Sequence, residues 1–399
     1  MAAMATFAIL VIAGLAIDLG RFFVVRAQLS KAVDGSALAG ARVLPKGKGQ
    51  ARTAAYECAQ MNFSAGFLNT KGHKFRVRIP SIANIGRVAV KGEAQLPMTF
   101  MRLVGLNQVT VPAYAEAERR PISIGLVLDN SFSMDPSFAG TDAIAFLREA
   151  AEDFVWFFDD NVDQMSLTLF SSGTEVHFRL GHYFQTPVVA KIGGMSAIAN
   201  TNLSDAFLSA HSELRGDTSP GAFRAVVFFT DGRPTALRDN FSVNGVPVTA
   251  VITGDQNPTG GVRSQLYYPD RLHEAITGVR YTAGQFPDGS PRNATNLQNL
   301  ANSRLLMAAN QARSEGIAVY TIGLGNPSHA QWWKQPDADL LIEMANIPVG
   351  IDPLTGDAID NLSFDPNQPR GGFYFAPDAA SLNIVFEQVA REIVLRLIN

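Results

Sequence analysis

The sequence predicts an α/β protein. An N-terminal membrane helix leads through a small α+β region into a doubly wound, mostly parallel sheet. Three observations predict this. Ile122–Asp129 (ISIGLVLD), Ala225–Thr230 (AVVFFT) and Ile317–Leu324 (IAVYTIGL) are short apolar runs without alternation, the pattern of strands buried on both faces. Helical spacing lies between those runs, so helices would cover both faces of one sheet. And Met1–Ile17 carries no charged side chain.

The chain has 399 residues, enough for two or three domains. Hydrophobic residues make up 47% and charged residues 17%, which supplies a core and excludes wholesale disorder. A net charge of −3 lacks the basic excess of a nucleic-acid binder. The single cysteine, Cys58, excludes an intrachain disulfide and a cysteine-cluster metal site, and reads as a small buried hydrophobe.

MAAMATFAILVIAGLAI would span about 26 Å as a helix, slightly short of a hydrocarbon core of about 30 Å. Leu19, Phe22, Phe23, Arg26, Leu29 and Val33 keep helical spacing, so residues 1–44 read as an anchor continuing into an amphipathic stalk. A cleaved signal peptide would need a basic start, which is absent, and a buried soluble helix is the other alternative. Arg21, Arg26, Lys31 and Arg42 follow the apolar run, so the positive-inside rule alone would place the C-terminal side in the cytoplasm. A basic leader upstream of this start would resolve both the orientation and the short span.

Residues 45–119 read as a small α+β unit: a helix over Ala51–Phe67, strands over Lys74–Ile79, Gly86–Leu96 and Val109–Glu118, and a helical turn at Phe100–Val104. Residues 120–399 form the α/β domain. After Ile122–Asp129 comes a helix over Ala143–Phe158, with Phe146, Leu147, Ala150, Phe154, Phe157 and Phe158 on one stripe. Strands Met165–Phe170 and Glu175–Leu180 form a hairpin through Ser171–Gly173. Helices follow over Asn202–Leu214 and Asn299–Ser314, then an edge strand at Tyr374 and a closing helix over Ala380–Ile398. Residues 235–295 are rich in Gly, Pro, Asn and Asp and read as an insertion.

Such sheets bind ligands at the carboxyl ends of their strands. There the sequence places Asp129, Ser131 and Ser133 at i, i+2 and i+4, Thr201 opening a helix, and Asp231 after a buried strand. Two carboxylates and three hydroxyls are hard oxygen donors, and Mg²⁺ favours six oxygens, some of them water. Taken singly, each segment is also an ordinary turn or helix cap; together they converge on one end of the sheet.

The pattern Asp129-Asn130-Ser131-Phe132-Ser133, Thr201, Asp231 resembles the metal-ion-dependent adhesion site of von Willebrand factor A domains, a Rossmann-like fold. The resemblance covers about Ile122–Ile398 and implies that the serines and threonine contact Mg²⁺ directly or through water, with Mn²⁺ or Ca²⁺ as alternatives, and that the aspartates often act through water. DLGRFFVVRAQLSKAVDGSALAGAR and QLPMTFMRLVGLNQVTVPAYAEAE resemble Tad (tight adherence) pilus assembly proteins of the TadE/TadG type. That implies a single-pass inner-membrane protein with its main domain on the periplasmic or extracellular side. It further implies a role in Flp-type pilus assembly or adherence, with other pilus components as partners and a partner Asp or Glu completing the metal site.

No enzyme motif accompanies the site. His73, His177, His182, His211, His273 and His329 lack metal-ligand spacing, and no P-loop or G-x-S-x-G elbow occurs. The expectation is a non-enzymatic binding protein. The alternatives are a metal-dependent hydrolase using Asp129 and Asp231, or an assembly subunit engaging an ATPase. Trp332 and Trp333 read as core.

Overall fold

A computed structural model describes residues 2–44, 47–79, 86–136, 142–219, 221–255, 260–325, 336–351 and 356–395. The chain forms two compact units, residues 1–120 with 394–399, and residues 121–393.

The first unit holds α1 (Ala2–Val43) and α2 (Lys48–Asn62) against an antiparallel sheet of β1 (Lys71–Arg78), β2 (Gly86–Pro97) and β3 (Gln108–Arg119), in that order. Among the described residues no helix is long and apolar enough to cross a membrane. The apolar run Met1–Ile17 falls largely on residues 1–11, whose side chains lie outside the described residues.

The small-residue stretch of α1 has a packing reason. Ala37 and Ala41 are buried against Ala51, Ala55 and the sheet, and a Cβ on Gly40 would meet the Val88 side chain at 2.8 Å and the Ala55 Cβ at 3.0 Å. Small side chains let the two helices approach closely. Val25, Leu29 and Val33 meet the buried face of β2, where alternate residues Val88, Val90, Ala94 and Leu96 are fully buried. Helix α2 begins before the predicted Ala51 and ends at Asn62, where Phe63 turns extended (φ −131°), and Gly66 (φ 80°) then makes a left-handed turn that the continuous periodicity concealed. Cys58 is half-buried rather than fully buried.

The Asp-Leu-Gly-Arg turn of α1 is a clamp. The Asp18 carboxylate, 1% exposed, accepts from the main-chain N–H groups of Thr99 (2.9 Å), Phe100 (2.8 Å) and Met101 (2.8 Å). Arg21 lies 3.5 Å from it and donates to the carbonyls of Pro97 (3.2 Å) and Leu68 (3.0 Å). One turn of helix thereby holds the β2–β3 connection.

The second unit is built on a six-stranded sheet. Its strands are β4 (Ile122–Asp129), β5 (Gln164–Phe170), β6 (Thr174–Gly181), β7 (Phe223–Thr230), β12 (Ala318–Leu324) and β15 (Gly372–Ala376), ordered β15-β12-β7-β4-β5-β6. All neighbours are parallel except the β5–β6 hairpin. Strand β4 is buried along its whole length. Phe228 and Phe229 show why the apolar runs lack alternation. Successive side chains of a strand point to opposite faces. Phe228 packs on Phe170 and Phe207, and Phe229 on Phe386.

The covering helices are α3 (Ala143–Trp156), α4 (Gln185–Gly193), α5 (Leu203–Arg215), α6 (Ala294–Ser314), α7 (Ala338–Met344) and α8 (Leu382–Leu395). Helices α4 and α7 were not anticipated. At 7 residues, α7 is too short to form alone; Asp337 caps it and tertiary burial of Leu340, Leu341 and Met344 holds it. On α3, Leu147, Ala150 and Phe154 are buried as predicted, but Phe146 (40% exposed) and Phe157 (39% exposed) are not. Both lie at the edge of the stripe. Trp332, Trp333 and His329 lie outside the described residues.

The insertion is an ordered sheet of β8 (Ala236–Val243), β9 (Val246–Gly254), β10 (Val262–Tyr267) and β11 (Ala275–Arg280). Asn244 and Gly245 both take positive φ (52° and 81°), the geometry of a tight hairpin turn, and Val243 pairs with Val246 across it. Leu237, Phe241, Ile252 and Leu266 form a separate small core against Leu297 and Ala301 of α6. The small β13 (Val349–Ile351) and β14 (Ala358–Asp360) pair with each other.

Gly371 runs beside β12 so closely that a Cβ would lie 1.5 Å from the Val319 carbonyl oxygen. Gly371→Ala is therefore expected to cost roughly 3 kcal/mol or more, since neither backbone can yield without losing the β12–β15 ladder. Thermal unfolding checks this; an unchanged midpoint would contradict the packing.

Candidate metal site

The chain runs outward in both directions from β4, to β5 on one side and β7 on the other. Parallel sheets open a crevice at such a switch point. Asp129 is the last residue of β4, and Asp231 follows the last residue of β7.

The 130–132 loop is fastened by its main chain. Asn130 N–H donates to Phe170 O (3.0 Å), Ile198 N–H to Asn130 O (2.7 Å) and Phe132 N–H to Ala199 O (3.1 Å). Ala199 itself sits in the left-handed region (φ 58°), a strained conformation for a residue with a Cβ. Ser131 and the following Ser133 then turn toward the two carboxylates. Ser131 N–H donates to Asp129 Oδ1 (2.8 Å), the Ser131 and Ser133 hydroxyls lie 2.9 Å apart, and the Ser133 hydroxyl donates to Asp231 Oδ1 (2.7 Å). Four of the five predicted residues, Asp129, Ser131, Ser133 and Asp231, thus form one connected cluster.

Thr201 is placed differently. Its N–H donates to Thr235 Oγ1 (3.0 Å), and its carbonyl accepts from the N–H groups of Thr235 (2.9 Å) and Ala236 (3.1 Å). It is buried, and among the described residues no hydrogen bond joins its hydroxyl to the other four. The N-cap of α5 is Asn202, whose side chain accepts from Asp205 N–H. Thr201 precedes the cap, so its side chain is not occupied in capping.

Thr230 belongs to the site and was missed. Its hydroxyl donates to Asp129 Oδ2 (2.6 Å), fixing the second carboxylate oxygen. Its position next to Asp231 was visible in the sequence, but the contact exists only because β7 lies beside β4. Burial pushes the Asp129 carboxyl up to about 6, although donors from Ser131, Thr230 and the Asp231 main chain pull the other way. A fully buried carboxylate is costly without a compensating cation.

The donor set fits a small hard cation. Neighbouring oxygens of an octahedral Mg²⁺ shell stand about 2.9 Å apart, given metal–oxygen distances of about 2.0–2.1 Å. The Ser131–Ser133 and Ser133–Asp231 separations of 2.9 and 2.7 Å match that edge. Among the described residues no group of three or more His, Cys, Asp or Glu that could hold a metal occurs, and this site too offers only two carboxylates beside its hydroxyls.

The insertion borders the site. Phe132, Ala199, Asn200, Gly254, Asp255, Arg263 and His273 line an open cleft of about 410 Å³. His273 bonds through Nδ1 to Ser172 Oγ (2.9 Å) and stacks on Tyr267. Burial, with Arg263 nearby, lowers its pKa, which leaves it neutral at pH 7.

Two family models match parts of the chain. Residues 124–233 match the von Willebrand factor type A domain, a span that includes all five predicted site residues. Residues 1–43 match the putative Flp pilus-assembly TadE/G-like family, a span that includes Asp18 and Arg21. No curated protein matches the chain. Among solved structures, the pilus adhesin SpaC from Lactobacillus rhamnosus GG is 15% identical with a TM-score of 0.45, over 82% of this chain and 36% of that one. The von Willebrand domain of the type V pili tip protein Mfa5 from Porphyromonas gingivalis is 14% identical with a TM-score of 0.44, over 70% and 97%. The PilB minor pilin from Streptococcus sanguinis is 11% identical with a TM-score of 0.45, over 82% and 79%. The chain thus spans about a third of the SpaC chain. It carries a von Willebrand factor type A domain behind a TadE/G-like N-terminal segment.

Proposed function

We propose that this is a non-enzymatic component of Tad-type pilus assembly or adherence that grips a protein partner through a divalent cation. The observation that carries the reading is the connected oxygen cluster of Asp129, Ser131, Ser133 and Asp231 at the sheet's switch point. Ser131, Ser133 and Asp231 would hold Mg²⁺, with Mn²⁺ or Ca²⁺ as substitutes. Asp129 orients Ser131 and supplies charge, and Thr201 lies two residues beyond Ala199, whose carbonyl accepts from Phe132 N–H. The bound cation would offer an open coordination position to a carboxylate from the partner. Phe132 and the insertion cleft flank that position and would contact the residues around it.

The N-terminal helix anchors the protein in the bacterial inner membrane in this reading, with the main domain on the periplasmic or extracellular side. The TadE/G-like match over residues 1–43 and the uncharged run Met1–Ile17 support it.

Titration calorimetry of the full chain with Mg²⁺ and Mn²⁺ tests the site. Saturable binding is expected in the wild type, weakened on the order of 100-fold or more in the double variant Ser131→Ala, Ser133→Ala, because ligand loss exceeds the 10–100-fold cost of outer-shell changes. Equal binding by that variant would remove the metal-bridge mechanism.

A further inference from the structure

We infer that the β2–β3 connection, residues 98–107, seats in the interfacial layer of a lipid bilayer beside the N-terminal helix. This rests on the anchor reading above and adds a second, independent contact with the membrane.

The connection ends in an apolar tip. Phe100, Leu103, Val104 and Leu106 are 40%, 77%, 56% and 42% exposed, an unusual concentration of large apolar side chains in one short turn of a sheet connection. The tip does not project alone. A Cβ on Gly14 would lie 2.6 Å from the Phe100 Cβ, so the tip lies directly on α1 at that residue. On the other faces of the same helix turns, Ile12 is 67% exposed, Leu15 44% and Leu19 47%.

Depth identifies the occupant. Asp18 is the first charged residue of the chain, so the polar boundary lies there. Gly14 is four residues earlier, about 6 Å deeper along a helix. Amphipathic segments that lie in the membrane interface bury their apolar side about 5–10 Å. The Asp18 and Arg21 clamp therefore holds Phe100 at the level where interfacial side chains rest. The clamp also supplies the main-chain partners of Thr99, Phe100 and Met101, so these amides enter the interface already satisfied. Arg102, exposed in the same turn, reaches back toward phosphate headgroups as long basic side chains do.

Site-directed spin labelling of the full chain tests this, with Cys58→Ser to leave one reactive position. The protein is reconstituted in vesicles of phosphatidylethanolamine with a minority of phosphatidylglycerol. Labels are placed at Leu103→Cys, at Tyr114→Cys on the exposed sheet face, and at Ile12→Cys on the helix. Collision with membrane-dissolved oxygen is compared with collision with a water-soluble nickel chelate. A several-fold higher oxygen-to-nickel ratio at 103 than at 114 is the expected result. A water-like label at 103 with a lipid-like label at 12 overturns this inference and leaves the anchor standing. Water-like labels at both overturn both. A label at 103 shielded from both reagents means that protein covers the tip, and overturns the lipid assignment.

Discussion

Asp129→Asn is expected to stabilise the cation-free protein at neutral pH while weakening cation binding roughly 10–100-fold. Asp129 is fully buried, and burial pushes its carboxyl from 3.8 up to about 6. The folded state therefore binds the Asp129 proton more tightly than the unfolded chain does. Its contribution to stability is fully present below about pH 4 and is lost as pH rises through about 6. At pH 7 the metal-free fold carries an uncompensated buried charge, and the amide removes it for a gain of roughly 1–3 kcal/mol. Chemical denaturation in chelator at pH 7 measures the gain, and the difference between the two proteins should vanish near pH 4. Added Mg²⁺ should raise the wild-type midpoint more than the variant's. Cation binding near pH 5 should also release a proton, seen as a dependence of the calorimetric heat on buffer ionisation. An asparagine variant less stable than the wild type in chelator at pH 7 would contradict this account of the site.

Asp18→Ala should unfold the β2–β3 connection and cost the first unit roughly 3–5 kcal/mol. The substitution leaves three main-chain N–H groups without their acceptor and removes the anion facing Arg21. Burial favours the neutral acid, but the donors from Met101, Thr99 and Phe100, with Arg21, outweigh it and hold the carboxyl below its usual 3.8. This depressed value makes the contribution present above about pH 4 and lost as pH falls through the lowered pKa. Amide exchange at residues 99–101 measures it directly. Unchanged protection at those amides in Asp18→Ala would show that the carboxylate is not their partner in solution.

The two aspartates differ in how far the sequence announced them. Asp129 stands in a local pattern with Ser131 and Ser133, and a five-residue loop can be read from spacing alone. Asp18 could be read only as part of the segment that resembles TadE/TadG proteins. Its partners lie some 80 residues along the chain, and nothing in the helical periodicity points to them. Thr230 is an intermediate case. It adjoins Asp231, yet its bond to Asp129 requires strands 101 residues apart in sequence to lie side by side.

The insertion shows the opposite failure. Its composition suggested an irregular segment, while the Asn244-Gly245 turn between Val-rich flanks already marked a hairpin. Weighing glycine and proline as breakers obscured a turn that both flanking strands require.

By itself the sequence determined the buried parallel strands, the helix–strand alternation around them and the Asp-x-Ser-x-Ser loop at a strand's end. Each is a short-range pattern whose period or spacing follows from backbone geometry. The tertiary structure alone decided which hydroxyls meet which carboxylates, that Thr201 is held by the insertion rather than by the cluster, and that Asp18 carries the distant connection. Those contacts form only when loop closure brings remote segments together. Their strength comes from the burial created there, so no local window of residues contains it.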